Sequence, residues 1–390
     1  MEIRIIENSK LVPIRYVEKL VCKSISDFKS LLIMLNYYCS LISLCLKQLY
    51  LSNSSIFKLS KSLTINYQLV HLDLSHTGLN DLGIQYVSYF IETSQTLSEL
   101  NLSNNQIGDE GMASLVKGLL KKNCVKSLNL ESNWLSENGF KYFTNFLCQA
   151  TQLKKLNLAH NKINEKSMRL ITQALSTSKN LTHLNLNQNA FGTSGCKYIA
   201  DYLSEKPFLL KYLSLSKNNI VSQGAKEIIK SLNGDSKLAE INLSQNLIHN
   251  QGIKSISKML QKNKSLTRLY LSQNLFNAQG AKHLGKALKS NRHLLFLGLG
   301  KNKLGLGLQY ISKSLKSNSS LLELQFSENE NDFKSEAKQI KVDLKYNQEI
   351  LNFNKDKPRL IKQLETLTPI ASELIKQIIL PYIQPIKPKF

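Results

Sequence analysis

Leu97-Ser98-Glu99-Leu100-Asn101-Leu102 is the stretch from which the fold is read. Leu100 and Leu102 alternate with polar residues, as a strand with one buried face requires. The stretch opens the pattern L-x-x-L-x-L-x-x-N-x-φ, which starts at Leu69, Leu97, Val125, Leu153, Leu181, Leu210, Leu238, Leu266, Leu294 and Leu321. The spacing is 28 residues, apart from 29 between Leu181 and Leu210 and 27 between Leu294 and Leu321. Ten consecutive units of nearly one length define a repeat architecture. A degenerate unit is expected at Leu46 (Leu46, Leu49, Leu51, Ile56) and a weaker one at Val17 (Val17, Leu20, Cys22, Ile25). A final half-unit is expected near Gln348, with Leu351 and Phe353 as inward strand residues.

The ninth position is Asn in nine of the ten units, Asn105, Asn133, Asn161, Asn189, Asn218, Asn246, Asn274, Asn302 and Asn329, with Thr77 in the first. After a strand ends, the chain turns through the interior with unpaired N–H and C=O groups. A buried Asn amide bonds both kinds, and stacked copies form a ladder. Gly83, Gly111, Gly139, Gly195, Gly224, Gly252 and Gly280 mark the turn into a helix, with Gly307 one place early in its unit. Helical spacing follows, as in Ile253, Ile256, Met259 and Leu260. Strands stack at about 4.8 Å and helices at about 10 Å, so such a stack bends with its strands inside.

The period, the Asn ladder and the full helix in each unit resemble the ribonuclease-inhibitor-like subfamily of leucine-rich repeats, over about Leu46 to Asn354. The resemblance implies an α/β fold: a right-handed solenoid, or horseshoe, with parallel strands on the concave face and helices on the convex face. Its members serve as enzyme inhibitors, innate-immune receptors, GTPase activators for Ran and bacterial effectors. The inhibitor's cysteine-rich repeat positions are absent, so its activity is not carried over.

Residues 1–45 read as an N-terminal cap and degenerate first repeat, 46–354 as the solenoid, and 355–390 as a C-terminal helical cap with a basic, Pro-containing tail. Two short helices are expected at Pro358 to Thr366 and Thr368 to Leu380, capping the last repeat. The uncharged stretch from Ser30 to Leu46 is shorter than a spanning helix needs and reads as a capping helix. The start carries no apolar signal-peptide core. Six cysteines without CxxC spacing read as small buried hydrophobes in a reducing compartment, giving the expectation of a soluble intracellular protein.

No phosphate-binding loop, nucleophile elbow, zinc motif or converging histidines stand out, so neither catalysis, a cofactor nor a metal is expected. The concave third and fifth positions are the default binding surface. In the N-terminal half they are small and polar. In the C-terminal half they include Tyr212, Arg268, Tyr270 and Phe296, with Leu295 and Leu322 at the neighbouring second positions. Aromatics and Arg are enriched at interface hot spots, so these six form the candidate partner site. Trp134, after ladder Asn133, reads as a partly exposed loop residue with a packing role.

The formal charge is +23, from 51 Lys+Arg against 28 Asp+Glu, which favours acidic partners. Lys141, Arg169, Lys197, Lys226, Lys254 and Lys282 recur at one helix position, with Tyr310 ending the row, and Lys230, Lys258 and Lys286 follow one turn later. These rows read as a solvated convex face or a docking surface for anionic lipid or an acidic protein. Nucleic acid is not expected, because no stacking aromatics interleave.

The expected function is a non-enzymatic, monomeric protein-binding module. The alternatives are a GTPase activator resembling those of Ran, for which no Arg takes a finger role, and a membrane-docking adaptor. A composition rich in Lys, Asn, Ile and Ser, with an apolar tail ending at Phe390, is similar to Legionella-type effectors exported by type IV secretion. That resemblance implies a host-cell protein as partner and delivery into the host cytoplasm.

Overall fold

The computed structural model describes Ile3–Arg4 and residues 19–22, 24–37, 41–178, 180–205, 209–232, 237–327, 329 and 334–364. They fall into two compact units, Met1–Ser231 and Leu232–Phe390. The first opens with β1 (Ile3–Arg4), β2 (Lys19–Val21), α1 (Ile25–Tyr37), β3 (Ser43–Cys45), α2 (Asn53–Leu63), β4 (His71–Asp73) and α3 (Asp81–Thr93). It continues with β5 (Glu99–Asn101), α4 (Asp109–Lys122), β6 (Ser127–Asn129), α5 (Glu137–Gln149), β7 (Lys155–Asn157) and α6 (Glu165–Leu175). Then come β8 (His183–Asn185), α7 (Gly192–Ser204), β9 (Tyr212–Ser214) and α8 (Ser222–Ser231). The second unit holds β10 (Glu240–Asn242), α9 (Asn250–Leu260), β11 (Arg268–Tyr270), α10 (Ala278–Ser290) and β12 (Phe296–Gly298). A 3-10 turn (Gly305–Gly307), α11 (Leu308–Leu315), β13 (Glu323–Gln325) and α12 (Lys334–Leu364) complete it.

Within each unit the strands are parallel and follow chain order. Third positions stand opposite third positions: His71, Glu99, Ser127, Lys155, His183 and Tyr212 in the first unit, and Glu240, Arg268, Phe296 and Glu323 in the second. The middle strand residues, such as Leu100, Leu128, Leu269 and Leu297, are buried and face the helices. Each helix returns an apolar stripe to them, Ile253, Ile256, Met259 and Leu260 in α9. This is the right-handed strand–helix solenoid that the repeat predicts.

The inner turn is held as the ninth-position Asn predicts. Asn105 Oδ1 accepts from Thr77 N at 3.1 Å and Leu79 N at 3.0 Å, while its Nδ2 donates to Leu74 O at 2.9 Å and Leu102 O at 3.0 Å. One amide thereby satisfies backbone groups of two consecutive units. The residue before it is left-handed throughout: Gln48, His76, Asn104, Ser132, His160, Gln188, Lys217, Gln245, Gln273 and Lys301 all have positive φ. None is glycine. The strain is offset by a regular bond from that residue's N–H to the next unit, as in Gln245 N to Ser272 O at 2.8 Å.

The turn glycines have a different cause. A Cβ at Gly111 would strike Asp81, and one at Gly139 would strike Asp109. Those carboxylates accept N–H bonds from the following unit, Gly108 N to Asp81 at 2.6 Å and Ser136 N to Asp109 at 2.8 Å. At these two positions glycine thus makes room for the close approach of a neighbouring repeat's capping side chain. Gly307 would meet Ala278 and Ala281. It comes one place early when counted from Leu294, because its unit is 27 residues long, and it is in register with Gly280.

A second ladder had not been expected. At the helix-to-strand turn of the second unit, Asn263, Asn291 and Asn318 donate to Leu232 O, Leu260 O and Leu288 O at 3.1, 2.7 and 2.8 Å. Their Oδ1 atoms accept from Leu266 N, Leu294 N and Leu321 N, each at 2.8 Å. Beyond the ladder, the buried Asn347 of α12 donates to Leu321 O at 2.7 Å.

Four expectations need correcting. The early unit starts at Leu41, not Leu46, because β3 pairs Ser43 with His71 and buries Leu41, Leu44 and Leu46. Ser30 to Leu46 is not one helix but the end of α1 followed by β3. Gln348, Leu351 and Phe353 lie inside α12, so no strand forms there. Pro358 starts no separate helix. The 31-residue α12 runs through it to Leu364 and across the boundary expected at 354/355, and it covers the last repeat with Ile340, Asp343 and Asn347. The helix expected at Thr368 to Leu380 and the tail lie outside the described residues. Among the described residues, no helix is long and apolar enough to cross a membrane.

Replacing Asn105 with Ala leaves the buried Thr77 and Leu79 N–H groups without their acceptor, each worth about 1–3 kcal/mol, while Leu74 O and Leu102 O keep Thr77 and Asn133 as donors. The expected loss is at least about 2 kcal/mol in urea unfolding, against under about 0.5 kcal/mol for Lys117→Ala on the exposed face of α4. Equal midpoints for the two variants would remove the ladder from its stabilising role.

Candidate binding face

The strand face divides by what its fifth position does. Asp73, Asn101, Asn129, Asn157, Asn185 and Asn242 each accept, through Oδ1, the N–H two residues on, at 2.8–3.1 Å. This Asx turn closes the strand end. The small polar row therefore serves the backbone before it serves any ligand. In the second unit, Tyr270, Gly298 and Gln325 depart from it.

At that departure a cluster forms. The Arg268 guanidinium lies over the Phe296 ring at 4.3 Å and near the Tyr270 ring at 5.7 Å. It donates to the Tyr270 hydroxyl from Nε at 3.0 Å and Nη2 at 2.9 Å, and Nε is 3.6 Å from Glu240. The two rings meet at 4.5 Å. Burial alone would lower the Arg268 pKa, but the Tyr270 hydroxyl and the charges of Glu240 and Glu323 raise it. Burial raises the Tyr270 pKa, with Glu240 adding to it and Arg268 opposing. At neutral pH the pair is a fixed cation beside a neutral phenol.

Phe296 corrects the sequence reading. Its outward register suggests a solvent-facing anchor, yet it is only 2% exposed. The cause is its neighbours: Arg268 covers one side, and the ring extends over Gly298, where an added Cβ would already lie 3.5 Å from Phe296 Cε1. Phe296 is the floor of the cluster. The accessible parts are Arg268 and Tyr270, both half-buried, with Leu295 38% exposed and Leu322 half-buried ahead of their strands. Tyr212 belongs to the first unit, where its ring stacks on His183 at 5.8 Å.

The remaining candidates lie away from this cluster. Lys226 and Lys230 of α8 are exposed, with Lys230 3.1 Å from Glu227. Lys254, Lys258, Lys282 and Lys286 are exposed on α9 and α10. Tyr310 does not continue the row of Lys282, since in the 27-residue unit Gln309 takes that position, but Lys282 Nζ sits 5.5 Å from the Tyr310 ring centre. Trp134, outside the strands, is 60% exposed. Cys22 and Cys196 are buried, and burial pushes the Cys196 thiol up to about 12. Cys148, by contrast, is exposed. Among the described residues no three His, Cys, Asp or Glu side chains gather as a metal site. A cleft of about 460 Å³ in the first unit, lined among others by Ser98, Lys122, Cys124 and Lys126, assembles no acid–base pair.

A strand-and-helix repeat closed by an Asn ladder, with its variable residues on the strand face, is a leucine-rich-repeat solenoid. The family model described as the MHP1/HER1/GIP3 LRR domain matches residues 10–302, and the chain belongs to that family. No curated protein matches. Among solved structures, the chain is similar to the actin-binding site 2 of leiomodin-1, at 20% identity and TM-score 0.36, over 43% of this chain and 96% of that one. It is similar to an internalin (inlF) of Listeria monocytogenes at 19% identity and TM-score 0.44, over 70% and 78% of the two chains. For TLR13, solved as a complex with ssRNA13, the figures are 17% and 0.46, over 80% of this chain and 47% of that one.

The site geometry separates floor from rim. Phe296→Ala is expected to cost about 3 kcal/mol or more as a buried aromatic truncation. Tyr212→Ala is expected to cost under about 1 kcal/mol. Thermal melts of both variants check this, and equal losses would contradict the assignment of Phe296 to the interior.

Proposed function

We propose that the protein is a non-enzymatic interaction module that binds a protein partner through the strand face of its second unit. The carrying observation is the loss of the structural Asn at Tyr270, Gly298 and Gln325, where Arg268 and Tyr270 stand in a fixed arrangement. An anchor held before binding loses little side-chain entropy on contact. Leu295 and Leu322 supply apolar area beside it, and Glu240 and Glu323 add acidic flanks. Tyr212 extends the proposed site only as a separate contact from the first unit. Two arginines of the second unit are already engaged, which weighs against a finger role for them in the Ran-activator alternative: Arg268 as described, and Arg292 bonded to Lys289 O, Asn291 O and Ser317 O. The likeness to Legionella-type effectors rests on composition and on a tail outside the described residues. It adds to the proposal a eukaryotic host protein as partner, met after secretion.

The test is capture from eukaryotic lysate by the native chain and by an Arg268→Ala, Tyr270→Ala variant that leaves Phe296 in place. Loss of a hot-spot pair lowers affinity by at least about 30-fold. A protein held by the native chain and by a Lys154→Ala, Lys155→Ala control, but not by the variant, supports the proposal. Equal retention by all three overturns it.

A further inference from the structure

From Ile241 to Leu322 the chain has no Asp or Glu, while it carries eleven Lys and two Arg. This span covers α9, α10 and α11 completely. On their exposed face, Lys254 and Lys258 of α9, Lys282 and Lys286 of α10 and Lys313 of α11 stand in two rows one helical turn apart. Lys313 joins the second row because the last step of the repeat is 27 residues. His283 lies between the rows and feels them: burial, then Lys254, Lys286, Lys282 and Lys258, lower its pKa. Four like charges thus converge on one point of the helix face without a carboxylate in these helices.

The first unit shows what a merely soluble face looks like in the same repeat. There Lys141 is 3.9 Å from Glu137 on α5, and Lys230 is 3.1 Å from Glu227 on α8. Keeping an apolar protein soluble calls for mixed signs, and the first unit has them. The second unit has abandoned them over three consecutive helices.

We propose that this helix face of the second unit docks on the surface of an anionic lipid bilayer. Three observations select that occupant. All five cations are Lys, a flexible point charge, whereas a fixed phosphate geometry would favour the planar fork of Arg. Exposed apolar side chains accompany them, Leu306 at 62% and Tyr310 at 40%, the latter beneath Lys282. Such residues suit the headgroup region. Tyr310 is the one exposed aromatic on these helices, so a run of bases finds no series of stacking platforms.

The test is sedimentation of the full chain with vesicles of phosphatidylcholine alone and of phosphatidylcholine with phosphatidylserine, beside a binding assay on single- and double-stranded nucleic acid. Each Lys near an anionic leaflet contributes about fivefold to partitioning. Changing Lys254, Lys258, Lys282, Lys286 and Lys313 to Gln is therefore expected to lower binding to the anionic vesicles at least about 100-fold. Changing all five to Arg preserves it, and high salt releases the native protein. The Arg268→Ala, Tyr270→Ala variant binds vesicles as the native chain does, which keeps this result separate from the strand-face proposal. Equal binding to neutral vesicles, an unchanged Gln variant, or Lys-dependent binding of nucleic acid without vesicle binding would each overturn it. If the Gln variant fails to unfold cooperatively, the salt and lipid dependence of the native and Arg forms decide by the same criteria.

Discussion

Everything in this protein depends on how buried backbone groups find partners between the end of a strand and the start of a helix. A chain that crosses its own interior leaves N–H and C=O groups far from water, and no sheet or helix reaches them. The Asn ladder meets that demand with one side chain per unit, bonded to backbone of its own unit and its neighbour. Because each rung needs the next, consecutive units are held in register. The left-handed residue before each rung is the conformational cost of the arrangement, and it recurs on non-glycine residues from Gln48 to Lys301.

The same logic operates at the opposite turn of the second unit, where Asn263, Asn291 and Asn318 bond both kinds of backbone group. It also explains how the stack ends. Asn347 comes from a long helix of unrelated pattern, and it donates to Leu321 O at the start of the last repeat. Capping here is achieved by hydrogen bonding as well as by apolar cover from Ile340.

Much of this was legible in the sequence, because Leu and Asn positions are fixed by burial and by backbone satisfaction, and both recur. The start of the early unit was misread because Leu49 replaces the ladder Asn there, and without that marker Leu46 looks as good a starting point as Leu41. The second ladder does have a signal, an Asn three places before the unit's first Leu at Asn263, Asn291 and Asn318. α12 lies beyond the period and followed no rule the repeat could supply. The candidate site was only half legible. Register correctly put Arg268, Tyr270 and Phe296 on one face, but which of them solvent reaches depends on cross-strand neighbours. Gly298, which makes room for the Phe296 ring, is what turns an apparent anchor into a floor.

The fifth-position Asx turns also limit what this scaffold is able to vary. In β4 to β8 and β10, a side chain that closes the strand end is not free to change, so each of those repeats offers essentially one letter, its third position, for writing a surface. At Tyr270, Gly298 and Gln325 the second column is released, and the alphabet doubles over three adjoining strands. New specificity can be acquired there by substitution without loosening the stack, which makes the end of the solenoid, not its middle, the place where related chains are free to diverge.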